Sequence, residues 1–262
     1  MSLKYDLYVE RNTVIHRLDP RVKLIGAALG MVSAIIVSNL FVLLSIFVVI
    51  MIVVALARVS WEKLKFSFRT ILPVTVMIVL LWPLFYRTGT PVLFSWWLIV
   101  ITLPNVIAGF ASAVRINVMA FCAFVLLFTT PQGRLVRGLV KLGLPYEYGL
   151  SLAIALRYIP TFQGIVLMIM DAQKARGLEL DKGNFFRKAL KYVYVMAPVV
   201  ISALRMADQL SLAIESRAFG APVKRTYMTN LNMRYGDVLV LCLLAATFAS
   251  LVFARVMYGF GV

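Results

Sequence analysis

Two arginines carry the most legible chemistry in this sequence. Arg176 stands between Ala175 and Gly177, inside the run Asp171-Ala-Gln-Lys-Ala-Arg-Gly177. Arg217 stands between Ser216 and Ala218, inside Glu215-Ser-Arg-Ala-Phe-Gly220. Small neighbours let a partner's backbone come close, and a guanidinium offers a planar fork of donors that suits a carboxylate. Each arginine closes a long helical pattern, so the pair would fit two equivalent acidic pockets. Either one alone has a plainer role: a cation near a helix C-terminus complements its dipole by a few tenths to about 1 kcal/mol. Repetition of the tip at the ends of two long helices weighs against that generic role.

The remaining polar groups offer less. His16 is the only histidine and has no His/Cys/carboxylate cluster around it in sequence, so it reads as a juxtamembrane polar residue and not a metal ligand. Arg115 lies inside an apolar stretch with no acid nearby, which favours snorkelling or a helix–helix contact over a substrate role. Arg157 has neither Glu147 nor Asp171 one turn away, whereas Asp171 with Lys174 and Arg205 with Asp208 are spaced as helix-surface pairs. Cys122 and Cys242 sit in apolar runs and read as packing residues. There is no phosphate-binding Gly-x-x-x-x-Gly-Lys-Ser/Thr loop, no Gly-x-Ser-x-Gly elbow and no His-Glu-x-x-His pair. Enzymatic chemistry, a cofactor and a metal site are therefore not expected.

The elements that must position the arginines follow from composition. Of 262 residues, 62% are hydrophobic and 15% charged, with 27 basic against 11 acidic side chains. Soluble domains run at about 45–50% apolar and about 25% charged, so an all-α integral membrane protein is expected. The basic excess belongs with a membrane face and not with nucleic acid. Apolar runs over 24–57 (broken at Ser38-Asn39), 71–85 (extending back to Phe68), 105–130 and 239–256 predict five spans. Asp19-Pro20 starts the first as N-cap and first helical residue. Residues 92–103, with Trp96 and Trp97, are too short to span and read as interfacial or re-entrant. Residues 60–69 place Trp61, Leu64 and Phe68 among Lys63, Lys65 and Arg69, the pattern of an interfacial helix against anionic lipid.

Lysine and arginine set the orientation. Residues 1–23 hold five, 58–69 hold four, 86–97 hold only Arg87, and 131–235 hold fifteen. The N-terminus is thus expected in the cytoplasm and the C-terminus outside. Residues 149–170 and 193–204 could pass for further spans, but crossing would put Lys174, Arg176, Lys182, Arg187, Lys188 and Lys191 outside. They are instead expected as two long cytoplasmic helices, 146–176 and one starting after the N-cap Asn184 and ending before Gly220-Ala221-Pro222. A shorter helix from Thr130-Pro131, as N-cap and first position, to Gly143 precedes them. Pro160 and Pro198 each remove a backbone hydrogen bond and set a bend in these arms. The chain divides into an N-terminal membrane domain of about four spans (1–130), a cytoplasmic coupling-helix domain (131–235) and a C-terminal span (236–262).

Read in order, Leu18-Asp-Pro-Arg-Val-Lys-Leu24, Thr130-Pro131, Leu156-Arg-Tyr-Ile-Pro160, Ala172-Gln-Lys-Ala-Arg-Gly177 and Glu215-Ser-Arg-Ala-Phe-Gly220 resemble the motifs of the T component of energy-coupling factor (ECF) transporters, the CbiQ-like transmembrane proteins. The resemblance covers nearly the whole chain. It implies a non-catalytic subunit in the cell membrane that joins two cytoplasmic ABC-type ATPase subunits to a small membrane substrate-capture (S) component, for vitamin or transition-metal uptake, cobalt among them. It also implies that Arg176, with Ala175 and Gly177, and Arg217, with Ser216 and Ala218, dock in ATPase grooves. Ala218 departs from the family's commoner glycine, and its methyl would reshape that dock. A stand-alone secondary carrier or channel, or a membrane-embedded transferase, would leave the paired arginine tips unexplained. A coupled carrier would also call for intramembrane carboxylates or inverted repeats, which the sequence lacks.

Overall fold

The structure, a computed structural model, describes residues 8, 11, 13–85, 92–96, 99–179, 184–220 and 233–258. Trp97, Arg87, Lys182, Ala221 and Pro222 lie outside the described residues. The element order is α1 (Val14–Arg17), α2 (Pro20–Ile36), α3 (Leu40–Leu56), α4 (Trp61–Phe85), β1 (Val92–Trp96), β2 (Ile99–Thr102), α5 (Leu103–Thr129), α6 (Gln132–Lys141), α7 (Tyr146–Ala175), α8 (Phe185–Glu215) and α9 (Tyr235–Tyr258). It forms two compact units: residues 4–149 with 231–262, and residues 1–3 with 150–230.

The larger unit is a helical bundle. Asp19 caps α2 as expected, its carboxylate accepting from Arg21 N–H at 2.9 Å with Pro20 in the first position. Ser38-Asn39 does break the apolar run, and Asn39 caps α3 through Phe41 N–H at 2.9 Å. The core gathers Ala34 and Val37 of α2's end, Leu43 of α3, and Ala111, Val118 and Cys122 of α5. Helices in lipid gain little from the hydrophobic effect when they meet, so close packing at small residues must hold them. α5 buries Gly109, Ala111, Ser112 and Ala113, and a Cβ at Gly30 would come within 2.8 Å of Cys122 Sγ. Phe121, fully buried, gathers Phe68 at 4.7 Å and Phe47 at 5.8 Å between ring centres.

Several expectations need correction. Residues 60–69 are not a separate interfacial helix; they are the first turns of the single helix α4. The charges Lys63, Lys65 and Arg69 that set 60–69 apart lie on its first turns, and the Ser67, Thr70 and Thr75 hydroxyls donate to the carbonyls of Lys63, Phe66 and Ile71 at 3.0, 2.8 and 3.2 Å within the helix. The short tryptophan segment holds an antiparallel ribbon, Phe94 opposite Ile101 and Trp96 opposite Ile99, with an irregularity between Val92 and Phe94. Its β-branched residues Val92, Ile99, Val100 and Ile101 favour that choice. α6 starts one residue late, with Pro131 as N-cap. Cys242 is exposed on α9, whereas Cys122 is buried as expected.

Among the described residues, five helices are long and apolar enough to cross a membrane: α4 from Trp61 to Trp82, α5, α7, α8 from Lys188 to Glu215, and α9 from Tyr235 to Met257. α4, α5 and α9 are spans the sequence predicted; the two predicted within 24–57 are not among the five. α2 and α3 have 17 residues each, about 26 Å, a little short of a hydrocarbon core of about 30 Å, and the long arms α7 and α8 qualify on length and composition.

The smaller unit contains most of α7 and all of α8. At 30 and 31 residues they are about 45 Å long. Val195 and Val199 of α8 are buried against Phe162, Val166, Ile169 and Met170 of α7 and against Leu178. Elsewhere the arms leave apolar side chains exposed, among them Ile159, Met168, Met196, Val200 and Leu204.

Candidate functional site: two arginine tips

The ends of α7 and α8 are built alike. At the first, Leu178 N–H donates to Gln173 C=O at 3.0 Å and Gly177 N–H to Lys174 C=O at 2.9 Å. At the second, Phe219 N–H donates to Ile214 C=O at 3.2 Å and Ala218 N–H to Glu215 C=O at 2.9 Å. Both are Schellman turns, in which the chain leaves the helix through one left-handed residue. That residue is Gly177 (φ 86°) in one and Ala218 (φ 56°) in the other. In each case the arginine is the residue just before it, and an apolar residue, half-buried Leu178 or Phe219, follows it. The alanine therefore does not reshape the tip. It adopts the same turn and bears the strain of a left-handed L-residue, about 1–2 kcal/mol.

Arg176 and Arg217 are both exposed, and neither guanidinium has a hydrogen-bond or ion-pair partner among the described residues. The turns take the Gln173 and Lys174 carbonyls at one tip and the Ile214 and Glu215 carbonyls at the other, and neither guanidinium bonds a carbonyl of its own helix. Ala175, Gly177, Ser216 and Ala218 are exposed beside them, and a Cβ added at Gly177 would meet nothing within 4 Å. Each tip is thus a small-sided knob carrying an uncommitted five-donor fork, suited to an acidic groove. The expected helix-surface pairs do not close: neither Asp171 with Lys174 nor Arg205 with Asp208 comes within 4.0 Å. Exposed pairs of this kind gain little, and their long side chains stay in solvent.

One contact ties the first tip to the second arm. Proline at 198 leaves the carbonyl of Tyr194 without its helical donor. The Gln173 side chain of α7 donates to that carbonyl at 3.4 Å, while the Gln173 backbone closes the Schellman turn under Arg176. Lys191 Nζ donates to Glu179 C=O at 2.6 Å just beyond the tip. Both α7 and α8 continue as helices through Pro160 and Pro198.

In the larger unit, polar groups are spent internally. Arg115 Nε and Nη2 donate to Ala34 and Val37 carbonyls of α2 at 3.0 and 2.9 Å, and Arg255 Nη1 donates to Ile36 C=O. Arg115 is therefore a helix–helix residue, as expected of an arginine without a nearby acid. His16 is buried, with Nδ1 2.7 Å from Thr13 Oγ1, and no group of three His, Cys, Asp or Glu is placed to hold a metal among the described residues. Asp237 went unnoticed in sequence. Its carboxylate accepts from Arg234 N–H at 2.8 Å, at the start of α9, and from Asp19 N–H at 3.0 Å, at the start of α2. An acid three residues after a helix N-cap is the available signal. Lys23 Nζ donates to Thr129 C=O at 3.0 Å, tying the Leu18–Leu24 motif to the Thr130-Pro131 motif. At Gly138 a Cβ would come within 3.2 Å of Pro20 Cβ, so the missing side chain lets α6 lie on the first turn of α2.

Four of the five sequence motifs thus fall at helix ends, as two open tips and one closed junction, while Leu156–Pro160 lies inside α7. The sequence model of the CbiQ family, described as cobalt transport protein, matches residues 11–228. The chain belongs to the CbiQ family. Curated relatives carry the name energy-coupling factor transporter transmembrane protein EcfT. That of Lactococcus lactis subsp. cremoris is 29% identical, covering 95% of this chain and 97% of its own length. That of Clostridium kluyveri is 31% identical over 96% of both chains, and that of Leuconostoc gelidum subsp. gasicomitatum 33% over 84% of both. This CbiQ-family chain is a membrane protein and the transmembrane energy-coupling component, or T component, of an ECF transporter.

Proposed function

We propose that this T component is a non-catalytic coupling subunit whose two arginine tips dock two cytoplasmic ABC-type ATPase subunits. Ala175, Arg176 and Gly177 form one dock and Ser216, Arg217 and Ala218 the other. ATP closes the ATPase pair, the tips follow their grooves, and α7 and α8 carry the movement to a small membrane substrate-capture (S) component that delivers a vitamin or a transition-metal ion such as cobalt. ATP hydrolysis belongs to the partners, and this subunit needs no cofactor of its own. In this reading residues 1–130 and 236–262 lie in the bilayer, residues 131–235 lie on the cytoplasmic side, and the N-terminus is cytoplasmic, in keeping with the fifteen basic residues of 131–235.

The observation that carries the reading is the duplicated tip: the same turn, the same placement of arginine, and two guanidinium groups without partners among the described residues. The decisive experiment replaces Arg176 and Arg217 with glutamate in the assembled transporter. Loss of ATPase subunits on purification, and of uptake, is expected; wild-type stoichiometry with unchanged uptake would end the docking role. Because α7 and α8 are also long and apolar enough to cross, a cysteine at position 182 tests their side of the membrane. It should resist a membrane-impermeant reagent applied from outside, and labelling there would mean that the arms thread the bilayer.

A further inference from the structure

The basic end of α4 is absorbed by neither the coupling reading nor the bundle core. All its charges fall in the first nine residues, Glu62, Lys63, Lys65 and Arg69, and none follows to Phe85. At 25 residues it is about 37 Å long, against a hydrocarbon core of about 30 Å, so its first turns must stand in the headgroup layer. Ser67 and Ile71 are buried and mark the side packed on the bundle. At about 100° per residue, Lys65 and Arg69 fall on the opposite side, one turn apart. Below them the same side continues as Leu72, Val76 and Leu80, which are 58%, 47% and 61% exposed. Trp61 stands one turn above, exposed, with Lys65 Nζ 5.8 Å from its ring. Lys63 turns inward, donating to Tyr8 C=O at 2.8 Å. Glu62 stands on this same side, about 20° from Arg69 in projection, and pairs with neither Lys65 nor Arg69.

The geometry points to an anionic phospholipid seated along the outer side of α4, its phosphate between Lys65 and Arg69 and an acyl chain along Leu72, Val76 and Leu80. Charge complementarity selects this occupant. Two cations without anionic partners among the described residues sit at phosphate depth, an amphipathic tryptophan marks the interface, and an apolar track of about 17 Å, from Arg69 to Leu80, runs directly beneath. A soluble anion would use the cations and leave the track bare.

The test is native mass spectrometry of the full-length chain released from micelles containing phosphatidylglycerol or phosphatidylcholine. The chain should retain phosphatidylglycerol about thirtyfold better than phosphatidylcholine, since each basic side chain near an anionic surface contributes about fivefold. Lys65→Gln with Arg69→Gln should abolish the preference, and the exchange Lys65→Arg with Arg69→Lys should keep it at an unchanged melting temperature. Arg134→Gln with Arg137→Gln, removing two exposed cations from α6, should leave the preference intact. Equal retention of both lipids by the unaltered chain would overturn the proposal. So would a preference surviving the Lys65/Arg69 change, an equal loss in the α6 control, or displacement of the lipid by inorganic phosphate at the same concentration. A photoreactive residue at position 72 should cross-link lipid in the assembled transporter; capture of a protein there would assign the surface to a subunit interface instead.

Discussion

Arginine does opposite work in the two units. In the larger one, Arg115 and Arg255 reach from α5 and α9 to carbonyls at the end of α2, which has no basic residue of its own in its last turn. In the smaller one, Arg176 and Arg217 sit at the ends of their own helices, where the Schellman turns close on the Gln173, Lys174, Ile214 and Glu215 carbonyls through backbone donors alone. The same side chain at a helix C-terminus is therefore structural in one case and spare in the other. What decides is whether the guanidinium reaches a carbonyl of a neighbouring helix. Spare donors at an exposed end are the ones available to a partner.

Five substitutions break or sharpen that contrast. Arg115→Leu should be the most damaging to the fold, because it strands Ala34 and Val37 carbonyls away from water; a loss of about 3 kcal/mol is expected, read as a lowered melting temperature in detergent. Arg176→Glu should leave melting within about 0.5 kcal/mol of the original, since the site is exposed, yet weaken ATPase binding by about a hundredfold through loss of a charge-assisted pair and added repulsion. A variant that melts early and still binds would reverse the assignment of the two classes. At the turns themselves, Ala218→Gly should stabilise by about 0.5–1 kcal/mol, the left-handed strain relieved less the entropy a glycine adds to the unfolded chain. Gly177→Ala should destabilise by a similar amount, and equal melting of all three chains would mean that the tips are not the same turn. Smallest, Gln173→Leu should cost about 0.5–1 kcal/mol by releasing Tyr194 C=O, and should loosen hydrogen-exchange protection around 173–178 before that of the larger unit.

What the sequence disclosed was local. Asp19 before Pro20, the break at Ser38-Asn39, and the start of α8 after Asn184 are each set by residues within a turn of the boundary. The arginine tips were legible for the same reason, although the left-handed turn at Ala218 was not, because alanine carries no signal for that conformation. The extent of α4 was missed because Lys63, Lys65 and Arg69 on its first turns look like a loop segment when only charge is read. The double use of Asp237 and the reach of Arg255 were invisible because their partners lie 218 and 219 residues away. Charge counts could not say which helices lie in lipid, since the arms are nearly as apolar as the bundle.

The placement of Asp237 and Arg255 bears on how the protein is made. One meets the backbone at the beginning of α2 and the other at its end, and both belong to α9. Because α9 follows α2 by some two hundred residues, α2 must wait, with Asp19 N–H and Ile36 C=O open, until α9 has been translated and inserted. A nascent chain stalled before residue 235 would keep both groups open, so the arrival of α9 is itself the step that closes α2.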